Sequence, residues 1–491
     1  MVSLVALVSL CAAPALSAPA KISGRAADYA GRTLVFRAVA DPVSRLAVDL
    51  EAVEVAPDGT FSFSLDVEEV TRVSVDLSSY EGHLYVEPGE SYEVELPPFR
   101  LRPDAERFNP FYVPRQVNLK LLSASSVLNG ALARFDEAFA RIYYPNAARL
   151  ARRRDKALAD MLLAQVDSVA AAVGCDKQFF RDQVFYSKAL VFATPRLAAS
   201  RRVIADYYAG RPLRLNVPAY WETIGMLAPD VLRESPSSEI RAGLAREMEA
   251  PSPDVAALSA VVAKDTLFAG SPDLREALIV RSVAEAFYAK SISEGRADSL
   301  LISAARSCRS RQVRLMAANV YAKKNKLRAG LPAPDFNLVD DRDAAISLAT
   351  FRGRFLYLCF MHTENYECVK AMPALNNLAQ AHRDNLDVLC VFTDDRADDA
   401  YNYVRRRGFY WRPVSFVADQ RIVQDYEVRG LPTYFLIAPD GCIAMAQAPG
   451  PAENVGPAIA EAIRQYVIAS KRGRPEVPRT IYDIANESRP N

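Results

Sequence analysis

The chain has 491 residues, half of them hydrophobic and 24% charged. That composition excludes a disordered or collagenous protein, and the length predicts two to four domains of about 150 residues. The 60 Lys and Arg nearly balance the 59 Asp and Glu, so no global field draws nucleic acid and no nucleic-acid partner is expected.

Residues 1–20, MVSLVALVSLCAAPALSAPA, are a short apolar run followed by small residues and Pro. They read as a signal peptide, with candidate cleavage after Ser17, Ala18 or Ala20. The segment lacks the usual basic start. Cys11 follows Leu10, where a lipidation signal has a small residue, so a lipoprotein is the less favoured reading and an exported periplasmic or cell-envelope protein is expected. No other apolar run approaches the roughly 18 residues of a transmembrane segment.

Residues 21–100 alternate apolar and polar in runs such as TLVFRAV, TFSFSL and SYEVEL, broken by Pro57-Asp58-Gly59 and Glu87-Pro88-Gly89-Glu90. Period two with tight turns predicts antiparallel strands, and strands at this spacing predict a small β-sandwich domain. The stretches APDGTFSFSL and GHLYVEPGESYEVELP resemble small β-sandwich domains that precede thioredoxin domains in envelope proteins of Bacteroidetes type.

From 115 to 325 the texture turns to Ala, Leu, Arg and Glu at helical spacing, as in NGALARFDEAFARIYY and KALADMLLAQVDSVAAAV. This predicts a helical region interrupted at Gly210-Arg211-Pro212 and at Ala250-Pro251-Ser252-Pro253. The aromatics Phe135, Phe139, Tyr143 and Tyr144 read as a packed helix stripe rather than a ligand groove. No repeat period stands out.

Beyond Gly330 strands and helices alternate. FLYLCF is a strand, 366–382 a helix, LDVLCVF a strand and 398–407 a helix. TYFLIA and CIAMAQ then flank Asp440-Gly441, and VGPAIAEAIRQYVIAS closes the region. The pattern predicts an α/β domain over 329–470 with helices on both faces of a sheet. The remainder, 471–491, is polar and contains Pro, and reads as a flexible tail. The overall fold class expected is therefore multidomain α+β.

The segment AGLPAPDFNLVDDRDAAISLATFRGRFLYLCFMHTENYECVKAMPALNNLAQ, with YEVRGLPTYFLIAPDGCIAMA downstream, resembles the thioredoxin-like TlpA/ResA family of exported thiol-disulfide oxidoreductases. The shared motifs are GxPAPDF, a strand-loop-helix ending CxxxMPAL, the VRGLPTYFLI strand and the DG hairpin. The resemblance implies a thioredoxin fold and a dithiol loop of the form FWATWCxPC. That loop aligns without a gap on Phe360 to Cys368. Asn365 then stands where the family has its attacking cysteine, Glu364 where it has Trp and Glu367 where it has Pro. Only Cys368, the resolving position, remains.

A thiol at a helix N-terminus is made acidic by unpaired amides and the helix dipole, and its thiolate begins disulfide exchange. Asn at that position is a strong N-cap, which keeps the helix start without the nucleophile. Glu364 and Glu367 oppose thiolate formation at Cys368. Cys368 is thus either a quiet buried thiol or, in the rival reading, the reactive group of a single-cysteine oxidoreductase or peroxidase-like antioxidant enzyme. The TxxC context of peroxiredoxins is only loosely matched, since Met361 and Asn365 replace their Pro and Thr.

Leu431-Pro432-Thr433 matches the family's cis-proline loop, which in the family offers backbone to an extended peptide. The resemblance thus implies peptide binding at Leu431 and Pro432; Tyr366, an aromatic expected at the helix start, adds an anchor to that binding face, and envelope proteins or peptides are the partners expected. Cys359 and Cys390 fall on strands expected to be neighbours and read as core, with a cross-strand disulfide left open. His362 reads as a solvated loop histidine, or as a base near Cys368. Three histidines and no paired CxxC motif predict no metal, and no cofactor is expected. The favoured expectation is a binding or scaffold protein of the envelope without dithiol exchange.

Overall fold

The computed structural model describes residues 19–100, 102, 106, 112–122, 127–152, 155–193, 200–394, 396–419, 421–453, 455–471 and 481–487. Residues 1–18, with Cys11 and most of the expected signal peptide, and most of the predicted tail lie outside these residues. Two compact units form, one from residues 1–102, 113–323 and 480–491, the other from 324–479 with 103–112.

In the first unit the alternating runs become strands. Thr33–Val39 and Ser91–Glu95 bury every second side chain. One four-stranded sheet is built on Ala20–Arg25 and one five-stranded sheet on Thr33–Val39 and Thr71–Leu77. Apolar residues of both sheets, among them Ile22, Phe36, Phe61, Val73 and Val94, share one core. The predicted turns form: Gly59 has φ +80° and Gly89 has φ +76°, a region that a side chain disfavours.

The expectation of wholly antiparallel pairing is corrected in two places. Ala20–Arg25 lies parallel to Ser91–Glu95, and Tyr80–Val86 lies parallel to Arg115–Asn118. Period two reports which face a side chain takes and carries nothing about strand direction, which long connections set. The lower bound of the helical region is corrected too. Arg115–Asn118 and Lys120–Leu121 are strands added to the two sheets, and helix begins at Val127.

Among the described residues from Val127 to Lys324 the regular elements are helices, from Val127–Arg152 to Arg311–Lys324, and none of them spans Gly210-Arg211-Pro212 or Ala250-Pro251-Ser252-Pro253. Phe135, Phe139 and Tyr143 are buried, with ring centroids 6.0 and 5.4 Å apart along the stripe, while Tyr144 is exposed. The flexible-tail expectation fails at the end of the chain. Ile481–Asn486 is a helix with Ala485 fully buried in the helical core. An isolated six-residue helix is unstable in water, so it is the seat that folds it.

The second unit holds a seven-stranded sheet in the order 345–346, 338–340, 412–415, 386–392, 355–361, 433–437, 443–445. Phe355–Met361 is buried along its whole length. Its odd-numbered residues, Phe355, Tyr357, Cys359 and Met361, enter one core together with the helices Tyr366–Ala381 and Val455–Lys471. Its even-numbered residues, Leu356, Leu358 and Phe360, enter a second core on the opposite face. A strand covered on both faces has no polar side to show, hence the unbroken apolar run. Among the described residues, no helix is long and apolar enough to cross a membrane.

Candidate functional site

The site is assembled at the carboxyl end of Phe355–Met361. This strand runs parallel to Leu386–Phe392, with Cys359 opposite Cys390, and antiparallel to Thr433–Ile437, with Phe360 opposite Thr433. That register brings three segments to one edge: the loop after Met361, the residues after Phe392, and the Leu431–Pro432 loop before Thr433.

Helix Tyr366–Ala381 starts where its sequence provides a cap. Asn365 has extended backbone, and its Oδ1 accepts the Cys368 amide at 3.1 Å. Glu367 sits in the first turn, where the helix dipole favours an acid. Cys368 itself points into the core and has no exposed surface.

Burial pushes the Cys368 thiol up to about 11, and the nearby Asp394, Cys359 and Glu367 add to the rise against an opposing pull from the His362 backbone. Desolvation and negative neighbours both disfavour thiolate. Asp394 contributes more than Glu367, the residue singled out by sequence reasoning.

Asp394, buried at the end of Leu386–Phe392, organises the loop. It accepts the Thr363 amide at 3.2 Å and also the Thr363 hydroxyl. His362 Nδ1 lies 3.6 Å from Asp394 and accepts the Glu364 amide at 3.1 Å. Sequence reasoning passed over Thr363 and Asp394. The available signal was an acid placed directly after an apolar parallel strand, at the end of the sheet where open α/β folds build their sites.

The peptide bond between Leu431 and Pro432 is cis. Leu431 is half-buried against both cores of the unit, and Thr433 Oγ1 donates to the Gly430 carbonyl at 2.6 Å. Tyr366 is 74% exposed at the helix start, with the Lys370 ammonium 6.0 Å from its ring centroid. Cys359 and Cys390 are fully buried thiols without a disulfide, and burial drives the Cys390 thiol well above its ordinary range.

A cavity of about 680 Å³ lies at the opposite end of helix Tyr366–Ala381, lined by Gln380, Arg383, Asp387, Tyr410 and Trp411 among others. It contains none of the site residues. No group of three or more His, Cys, Asp or Glu placed to hold a metal occurs among the described residues.

Residues 329–446 match the AhpC/TSA family. Thiol-disulfide oxidoreductase ResA of Bacillus thuringiensis (strain Al Hakam) is 31% identical over 122 residues, which are 25% of this chain and 70% of the relative. ResA of Bacillus subtilis (strain 168) is 28% identical over 123 residues, 25% of this chain and 68% of the relative. The chain belongs to the ResA-type thiol-disulfide oxidoreductase family. The solution structure of a thiol:disulfide interchange protein from Bacteroides sp. is also similar, at 24% identity over 30% of this chain and 96% of that one, with a TM-score of 0.26. Membership rests on the second unit; the first, with its sheets and helices, lies outside the matched span.

Proposed function

We propose that this member of the family has lost dithiol exchange and uses the former exchange site as a binding face. The observation that carries the reading is the state of Cys368: its thiol is fully buried and raised to about 11, and its amide is held by Asn365 at the position of the family's attacking cysteine. A resolving thiol without a nucleophile before it has no mixed disulfide to resolve. The same burial weighs against the single-cysteine oxidoreductase or peroxidase, which needs an accessible thiolate.

Tyr366 is exposed at the helix start, and the Leu431–Pro432 loop comes to the same edge of the sheet. An extended peptide laid along such a loop is held by backbone hydrogen bonds, and an aromatic at the edge supplies an anchor; neither needs a thiolate. The partners proposed are therefore peptides or proteins of the envelope. Export is part of the proposal. Ala20 is fully buried and pairs with Leu65, so cleavage after Ser17 or Ala18 keeps the first strand whole, whereas cleavage after Ala20 removes its first residue. The two N-terminal sheets around one core are read as a sandwich domain, followed by the helical region and then the thioredoxin-like domain.

The wild-type chain is expected to leave insulin disulfides intact, while Asn365→Cys forms a reducible disulfide with Cys368. Insulin reduction by the wild type that disappears in Cys368→Ala sinks the proposal. On the binding side, Tyr366→Ala combined with Leu431→Asp is expected to change the set of envelope proteins retained by the immobilised chain. Identical sets for a correctly folded double variant mean that the face is idle. Intact mass of the native protein is expected to show Ala20 retained and the leader absent; retention of Met1 overturns the export reading.

A further inference from the structure

The end of the chain departs most from what its composition suggests. Thr480 to Asn491 belong to the first unit, although residues 324–479 form the second. Within the first unit, helix Ile481–Asn486 packs against helix Glu294–Ser307. Ala485 is fully buried, and Ile481, Tyr482 and Ile484 are half-buried against the helical core.

The seat reads this helix by polar contacts as well as by shape. Arg314, 8% exposed on helix Arg311–Lys324, donates from Nε to the Ala485 carbonyl at 2.9 Å, and its Nη1 donates to the carbonyls of Cys308 and Arg309 at 3.0 Å. A guanidinium at a helix C-terminus meets both the outward carbonyls and the negative end of the dipole. Arg311 Nε donates to Asn486 Oδ1 at 3.2 Å. Tyr482 donates its hydroxyl to Asn319 Oδ1 at 3.1 Å, and Asn319 Nδ2 in turn donates to the buried Asp41 carboxylate at 2.9 Å. The seat thus specifies a phenol, a small residue three positions later and a helix ending there.

We infer that the helical region carries a docking groove for a short C-terminal helix, and that Ile481–Asn486 occupies it in cis as a releasable strap. The chain leaves the first unit at Lys323, forms the second, and returns at Thr480. A helix of six residues has no stability of its own and buries one side chain completely, so it folds and unfolds with docking. The occupant is this segment and not an unrelated protein, because the phenol, the alanine and the terminal carbonyl each already have a fitted partner.

The test uses the full-length chain and a fluorescent peptide of residues 480–491. Ala485→Glu places a carboxylate in a closed apolar space and is expected to dislodge the strap. The peptide should then bind the variant about tenfold or more tighter than the wild type, whose seat is filled by a tethered competitor. The same peptide with Tyr482→Ala should lose that binding. Equal binding to both chains, or no binding to a variant of unchanged circular dichroism, overturns the inference.

If Ala485→Glu fails to fold, hydrogen exchange on the wild type decides. The Glu487 amide, which donates to Asp483, should exchange well before the amides of Val313 to Val320. Exchange at the rate of those core amides means that the helix leaves only on global unfolding, and the strap is then not releasable.

Discussion

The helix start at Asn365 and the proline loop at Leu431 lie at the same edge of one sheet, yet they have been treated differently. At the helix start the polar groups are turned upon one another: Asn365 holds the Cys368 amide, Asp394 holds Thr363, and His362 holds the Glu364 amide. In the proline loop the cis bond and the packing of Leu431 against both cores are in place, with Arg429 and Gly430 exposed beside them. On the proposed reading, the difference lies in what each half of the edge depends on. Thiol chemistry depends on charge and access at one atom, whereas a loop conformation is held by packing over many atoms.

The sharpest way to break that contrast is to ask whether Cys368 still reacts. Raising the thiol from near 9 to about 11 lowers its thiolate fraction at neutral pH about a hundredfold, before access is considered. Iodoacetamide is therefore expected to label Cys368 at least about a hundredfold more slowly than a thiol in an unstructured peptide, with the rate still climbing between pH 9 and 11. Mass mapping of the labelled site, with Cys368→Ala as control, supplies the measurement. Rapid labelling at pH 7 would make the helix start a working thiol site and restore the enzyme reading.

Stability against pH probes the same burial from another side. A thiol whose folded value is raised keeps its proton when the unfolded chain has lost it, so folding is favoured fully below about 9 and less as pH rises towards 11. The expected loss across that window is on the order of 2 kcal/mol. Other groups titrate there too, so the quantity to compare is the slope for the wild type against that for Cys368→Ala, from urea unfolding at each pH. Parallel slopes would place the thiol in contact with water.

Much of this edge was legible in the sequence because it is written in contiguous runs. FLYLCF is apolar without interruption and LDVLCVF is broken only by Asp387 near its start, and both became strands buried on both faces. The expected helices at 366–382 and 398–407 appear as Tyr366–Ala381 and Ala397–Arg407. Asn365 announced itself as a cap by its residue type. Asp394 did not, because its partners lie 31 residues upstream and meet it only once the two strands pair. The strap was hidden for a different reason: Ile481–Asn486 has too few residues to show a helical period and stands among Pro and charged residues. Its structure comes from Arg314, Asn319 and the core beneath Ala485. Strand direction in the first unit was unreadable because alternation is the same in parallel and antiparallel sheets.

The smallest expected effect tests what Asn365 contributes to the helix start. If its role is to cap the helix, Asn365→Ala leaves the Cys368 amide without its acceptor and costs about 1 kcal/mol. Asn365→Asp presents the same oxygen geometry, and its charge suits the helix start, so it should stay within about 0.5 kcal/mol of the wild type. The pair separates capping from packing, since both variants shorten or alter the same half-buried side chain while only one removes the acceptor. Urea midpoints measured at pH 7 are sufficient. If Ala and Asp destabilise equally, the side chain matters for its fit rather than for its hydrogen bond. If neither does, the helix start does not depend on the Asn365 side chain, and the contacts of Asp394 with Thr363 and of His362 with Glu364 are left to hold it.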